Sequence, residues 1–143
     1  MKVKSIKVIF DTNVWISFLI GKRLSSIKNY LSSGQIILVT TDQLLREIKE
    51  VTSRDRLKKY FPNESVNELI ELLETIAEKV EIKSTHFINR DPKDNFLLDL
   101  IDFSKADYLV TGDKDLLVHK QFKSAKILNP ANFEIELINQ WKA

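Results

Sequence analysis

The sequence predicts an α/β domain built on a parallel sheet. Short, near-continuously apolar runs recur along the chain, and segments of helical hydrophobic spacing separate them. Strands alternating with helices in this way predict crossover connections and a parallel sheet. The runs do not alternate in polarity, which is what strands covered on both faces look like. Only three Gly and three Pro interrupt the chain, and no repeat appears.

Residues 6–10 read as the first strand, and Val14, Trp15, Phe18 and Leu19 then share one helical face. Ile27, Tyr30 and Leu31 follow, with Gly34 as a helix stop. Residues 36–40 read as the second strand. Asp42 is expected to cap the next helix, whose stripe is Leu44, Leu45, Ile48 and Val51. Asn63 is expected to cap a further helix. Its stripe of Val66, Leu69, Ile70, Leu73, Ile76, Ala77 and Val80 predicts one helix running to residue 80. Residues 94–104 carry Phe96, Leu97, Leu100, Ile101 and Phe103, a helix apolar on more than one side. Residues 108–111 and 125–128 read as two more strands. Asn129 and Pro130 form a cap and first-turn proline before a last helix with Phe133, Leu137, Ile138 and Trp141.

The bulk numbers narrow the classes. With 43% hydrophobic and 29% charged residues, residues 1–143 read as one globular domain rather than a disordered chain. Zero Cys excludes disulfides, cysteine zinc sites and thiol nucleophiles. Lys2, Lys4 and Lys7 interrupt the N-terminus, and no apolar run reaches the ~20 residues a membrane helix needs. A cytoplasmic protein without a membrane partner is expected. The net charge of +2 permits a nucleic-acid partner without requiring one.

In parallel sheets, sites form beyond the carboxyl ends of the strands. Asp11 directly follows the first strand there, and Asp113 follows 108–111 and Gly112 in the same way, with Asp115 two residues on. Asp94 opens the most apolar helix, and Glu47 borders the stripe of the helix after the second strand. Each has an ordinary reading: Asp11 and Asp94 as helix caps, Asp113 and Asp115 as turn residues, Glu47 as a solvated charge. Together they suggest more. Carboxylates brought close cannot all stay ionised without protonation or a bound cation. Oxygen-only ligands suit Mg²⁺ or Mn²⁺, and such a site matches phosphodiester hydrolysis. Zinc fits poorly, since His86 and His119 lack ligand spacing.

The run from Val8 to Asn13, the helix with Leu44, Leu45, Glu47 and Ile48, and the stretches 90–97 and 106–117 together resemble PIN domains. The last two are similar to the VapC-like branch, the toxin components of bacterial and archaeal toxin–antitoxin systems. The resemblance spans nearly the whole chain. It implies a three-layer α/β/α sandwich and an Mg²⁺- or Mn²⁺-dependent ribonuclease. It implies Asp11, Glu47, Asp94 and Asp113 as catalytic metal ligands, with Asp115 as a fifth. Thr12, Asn13 and Thr111 match supporting polar residues, of which Asn13 and Thr111 are assigned to orienting the ligands through hydrogen bonds. Asp91 is the weaker alternative to Asp94. The implied partners are RNA, a cognate antitoxin and a second copy in a homodimer, with the stripes at 66–80 and 131–141 as candidate interfaces.

For phosphate contacts the chain offers Lys22, Arg23 and Lys28, then Arg54, Arg56, Lys58 and Lys59, then Lys114 and Lys120. Tyr30, Tyr60, Phe61 and Trp15 are candidate base-stacking residues, although core packing suits Trp15 better. Two rivals stand beside the nuclease. One is phosphoryl transfer through an aspartyl phosphate at Asp11, disfavoured because Asn13 stands where many such enzymes have a second acid. The other is an inactive RNA-binding or protein-interaction module.

Overall fold

The computed structural model describes residues 5–21, 33–54, 59, 61, 63–82 and 92–141, with the side chains of 92–94 and 138–141 left out of the description. Tyr30, Tyr60, His86, Asp91, and the stretch with Ile27 and Leu31, fall outside it.

The strands are β1 (Ile6–Phe10), β2 (Ile36–Thr40), β3 (Glu78–Lys79), β4 (Tyr108–Val110), β5 (Gln121–Phe122) and β6 (Ala125–Leu128). The described helices are α1 (Thr12–Ile20), α2 (Asp42–Thr52), α3 (Asn63–Ile76), α4 (Pro92–Ser104), α5 (Lys114–Leu117) and α6 (Pro130–Trp141). The sheet order is β3-β2-β1-β4-β6-β5. Every pairing is parallel except β5 with β6. From β1 the chain moves outward to β2 and β3, then returns to place β4 on the other side of β1. The strand order therefore switches between β1 and β4, the place where α/β sheets open a crevice at their carboxyl edge.

The sheet is the centre of the core. Val8 and Ile9 on β1 and Leu109 and Val110 on β4 are 0% exposed. Phe10 meets Trp15 at 5.0 Å, Phe18 at 5.5 Å and Phe133 at 5.7 Å, all edge to face. One strand residue thereby fastens α1 and α6 to the same side. Truncating such a ring to alanine typically costs about 3–5 kcal/mol. Trp15 and Phe61 are buried in this core and so are closed to base stacking.

Several sequence expectations need correction. The helix predicted to reach residue 80 stops at Ile76. Beyond it, β3 pairs with the end of β2, and the Val80 amide donates to the Thr40 carbonyl at 2.9 Å. Val80 and Ile82 still pack on the core, because an alternate-residue pattern covers the same positions as the end of a helical stripe. Ile76 itself is 54% exposed. The cap of α2 is Thr41, in extended conformation, and Asp42 instead reaches Lys79 at 2.7 Å. Phe103, expected in a buried stripe, is 43% exposed. Edge strands β3 and β5 went unread because two residues have no period to detect. The Asn129 cap is present: its Oδ1 accepts the Asn132 amide at 2.8 Å.

Candidate functional site

The candidate site forms where β1 and β4 end side by side. Phe10 pairs with Val110, so Asp11 and Thr111 are the next residues on each strand. The Asp11 amide donates to the Val110 carbonyl at 3.0 Å, which continues the ladder one step. The Thr111 amide is held by the Leu128 carbonyl at 2.9 Å. Both residues are buried. Asp11 stands at the cap position of α1, yet its side chain makes no cap hydrogen bond. It turns instead across the sheet, where its Oδ2 accepts the Thr111 hydroxyl at 2.7 Å.

Thr111 then joins the second acid. Its Oγ1 accepts the Asp113 amide at 3.1 Å while donating its own proton to Asp11. Asp113 Oδ1 accepts the Asp115 amide at 2.9 Å, which caps the short α5. The turn-and-cap reading of Asp113 is therefore realised, and it sets the carboxylate next to Asp11 rather than competing with a site. Asp115 contributes its backbone to this turn and is half-buried.

Glu47 arrives from the other side. It is half-buried on α2, and its Oε2 accepts the Thr12 hydroxyl at 2.9 Å. Thr12 is the first residue of α1, directly after Asp11. One threonine hydroxyl thus joins Asp11 to the Asp113 turn, and the other holds Glu47 against the residue that follows Asp11. Asn13 is exposed, and its backbone carbonyl takes the Ser17 hydroxyl at 3.0 Å. The helix start turns Thr12 toward α2, where its hydroxyl meets Glu47.

Asp94 is the third residue of α4, and its side chain lies outside the described set. α4 leads through residues 105–107 into β4. The same helix buries two polar residues that the sequence reading passed over as site candidates, Asn95 and Asp99. The available signal was their four-residue spacing inside an otherwise apolar helix.

The electrostatics are strained at one point. Burial pushes the Asp11 carboxyl above its ordinary value; the Thr111 hydroxyl and the Thr12 amide oppose that, and the neighbouring Asp113 charge adds to it. Loss of hydration and like-charge repulsion both disfavour ionised Asp11, and both are relieved by a nearby cation. The donors are carboxylate oxygens, with threonine hydroxyls behind them. That chemistry fits a hard divalent ion such as Mg²⁺ or Mn²⁺ and not a soft one. Among the described residues, no three His, Cys, Asp or Glu side chains stand close enough together to hold an ion.

Residues 7–115 match the family model of the PIN domain. The chain belongs to the PIN domain family. The matched span begins in β1, ends at Asp115 and so contains every acid named above. PIN domains are typically nucleases, which agrees with acids at the carboxyl ends of β1 and β4. This PIN domain is 34% identical over 134 residues to the uncharacterized protein MJ1680 of Methanocaldococcus jannaschii, covering 90% of this chain and 84% of that one. Among solved structures it is similar to the PIN domain endonuclease Utp24, with a TM-score of 0.47 and 16% identity over 76% of this chain and 72% of that chain. No helix of this PIN domain, among the described residues, is long and apolar enough to cross a membrane.

Proposed function

We propose that this PIN domain is an Mg²⁺- or Mn²⁺-dependent endoribonuclease with Asp11, Glu47, Asp94 and Asp113 as its acidic ligands and Asp115 beside them. The observation that supports it most is buried Asp11, joined through Thr111 to Asp113 at the switch point of the sheet. Such an acid pair is disfavoured alone and favoured with a divalent cation between phosphate and protein. When bound, the ion supplies a water of lowered pKa and stabilises charge on the phosphodiester oxygens. The chain's own part is to hold the oxygens still. Thr111 fixes the rotation of Asp11, Thr12 fixes that of Glu47, and the α5 cap fixes that of Asp113. Ligands oriented in this way keep their geometry through a reaction.

The test is cleavage of labelled single-stranded RNA with Mg²⁺ or Mn²⁺, compared with EDTA and with Asp94→Asn. Cleavage that needs the ion and fails in the variant supports the reading. Wild type and Asp94→Asn cutting alike would refute it. Binding of RNA with neither metal uptake nor cleavage would favour an inactive binding module.

The narrower biological role, a cytoplasmic toxin with a cognate antitoxin and a homodimeric state, is supported by the likeness of the stretches 90–97 and 106–117. Growth arrest on expression, relieved by the product of a neighbouring gene, tests the first part. Sedimentation at high concentration tests the second.

A further inference from the structure

Helix α3 and the turn after it carry one sign of charge. Residues 63–78 hold Glu64, Glu68, Glu71, Glu74 and Glu78 and no Lys or Arg, in a chain whose net charge is +2. The helix has two distinct faces. Leu69, Ile70 and Leu73 join the contiguous core, and Val66 packs against it. On another side, Glu68, Glu71, Leu72, Thr75 and Ile76 line a surface groove of about 230 Å³. Spacings of three and four residues bring these five side chains onto one stretch of helix surface. Leu72, 8% exposed, is the floor of the groove, and Ile76, 54% exposed, is its open apolar rim. Glu68 and Glu71 are exposed beside them. Glu74, further round the helix, meets Lys49 of α2 at 4.0 Å.

The volume lies below the roughly 300–1,000 Å³ of small-molecule sites, so the groove suits an anchoring side chain rather than a cofactor. Its charge then selects the partner by sign. An RNA strand or an anionic membrane is repelled by this row of carboxylates. A Lys or Arg side chain is suited twice over: its methylene stem can lie along Leu72 and Ile76 while its head reaches a carboxylate. We propose that the α3 groove docks a cationic peptide segment of a partner protein. One aliphatic side chain of that segment anchors on Leu72 and Ile76, and flanking Lys or Arg heads reach Glu68 and Glu71. Apolar anchors set within complementary charge are how amphipathic segments are recognised on helix surfaces. The surface is separate from the nuclease reading, since α3 supplies none of the acids proposed there.

The experiment uses the full chain and a fluorescein-labelled amphipathic peptide of Lys and Leu in helical spacing, with a counterpart carrying Glu in place of Lys. Binding is read by anisotropy across a salt series. Wild type is expected to bind the Lys peptide and not the Glu peptide, with affinity falling as salt rises. The double variant Glu68→Gln, Glu71→Gln should weaken binding roughly 3- to 10-fold and flatten the salt dependence. Ile76→Gln should weaken it by a similar factor, roughly 3- to 10-fold, and leave the salt dependence unchanged, since the lost contact is apolar. Glu134→Gln removes an exposed acid on α6 and should match wild type. Circular dichroism should be the same for all, because the substituted side chains lie on the surface. A wild type that binds neither peptide, groove variants that bind like wild type, or a Glu134→Gln loss equal to that of the double variant overturns the proposal. So does a wild-type dimer in sedimentation that Ile76→Gln converts to monomer, which would put a second copy on this face.

Discussion

The two edges of the sheet treat charge in opposite ways. At the amino edge, charge is matched. Asp107 Oδ2 accepts the Lys7 amide at 2.8 Å, and the Asp107 amide returns to the Lys7 carbonyl at 2.8 Å. Lys7 Nζ reaches Glu78 at 3.4 Å, and Asp102 takes both Lys105 and Lys123. At the carboxyl edge, β2 and β3 end in the matched pair Asp42 and Lys79, whereas at the ends of β1 and β4 acid is set beside acid. Asp11, Glu47 and Asp113 accept hydroxyl and amide donors, and burial and the Asp113 charge both disfavour ionised Asp11. The same strands thus end in a finished structure on one side and an electrostatically incomplete one on the other. Incomplete charge at a strand end is where a ligand has the most to contribute.

The comparison can be broken most sharply at Asp11. Asp11→Asn should lower metal-dependent RNA cleavage at least ~100-fold while the fold persists, as expected for loss of a direct ligand and measured by initial rates with unchanged circular dichroism. Thr111→Val keeps shape but removes the hydroxyl between Asp11 and Asp113. It should reduce cleavage roughly 10- to 100-fold and raise the metal concentration needed, which a Mn²⁺ titration reads. A substitution at the matched edge should behave differently. Asp107→Ala leaves the Lys7 amide without its acceptor and should cost about 1–3 kcal/mol in urea unfolding, with the rate of the folded enzyme little changed. If Asp107→Ala instead abolished cleavage without loss of stability, the division of labour between the edges would be wrong.

Smaller effects sharpen the picture. Asp11 has its folded pKa raised above the ordinary carboxylate value of 3.8. Between that value and the raised one, the folded state holds more protons than the unfolded state, so stability falls as pH rises through this window. The loss is complete above the folded pKa and absent below the unfolded one. In EDTA, Asp11→Asn should therefore melt higher than wild type at neutral pH, and the gap should close in acid. Added Mg²⁺ should raise wild-type melting and not that of the variant. Thr40 at the end of β2 is fully buried, and its Oγ1 has no hydrogen-bond partner. Thr40→Val should raise stability by about 1 kcal/mol in the same unfolding assay, because it removes an unsatisfied polar atom without changing shape.

Apolar spacing alone located β1, β2, β4 and β6, and the carboxyl ends of two of them located Asp11 and Asp113. Those statements follow from short-range pattern: an unbroken apolar run needs cover on both faces, and its polar successor lies at an edge. Which threonine serves which acid was not readable. Thr12 and Asn13 are adjacent in the chain, and only the packing of α1 against α2 decides that Thr12 meets Glu47. Burial of Asn95 and Asp99 was likewise hidden in a helix read for its apolar residues.

By itself, the sequence determined the class of fold, the order of β1, β2, β4 and β6 with the longer helices between them, and the acids at two strand ends, since local periodicity and strand-end position are properties of neighbouring residues. Tertiary structure alone decided that β1 and β4 lie side by side, which brings Asp11 to Thr111 across a separation of 100 residues. It also ended α3 at Ile76, with the following residues paired to β2 as β3. Contacts between distant segments depend on which surfaces bury together, and that balance is settled only when the whole chain packs.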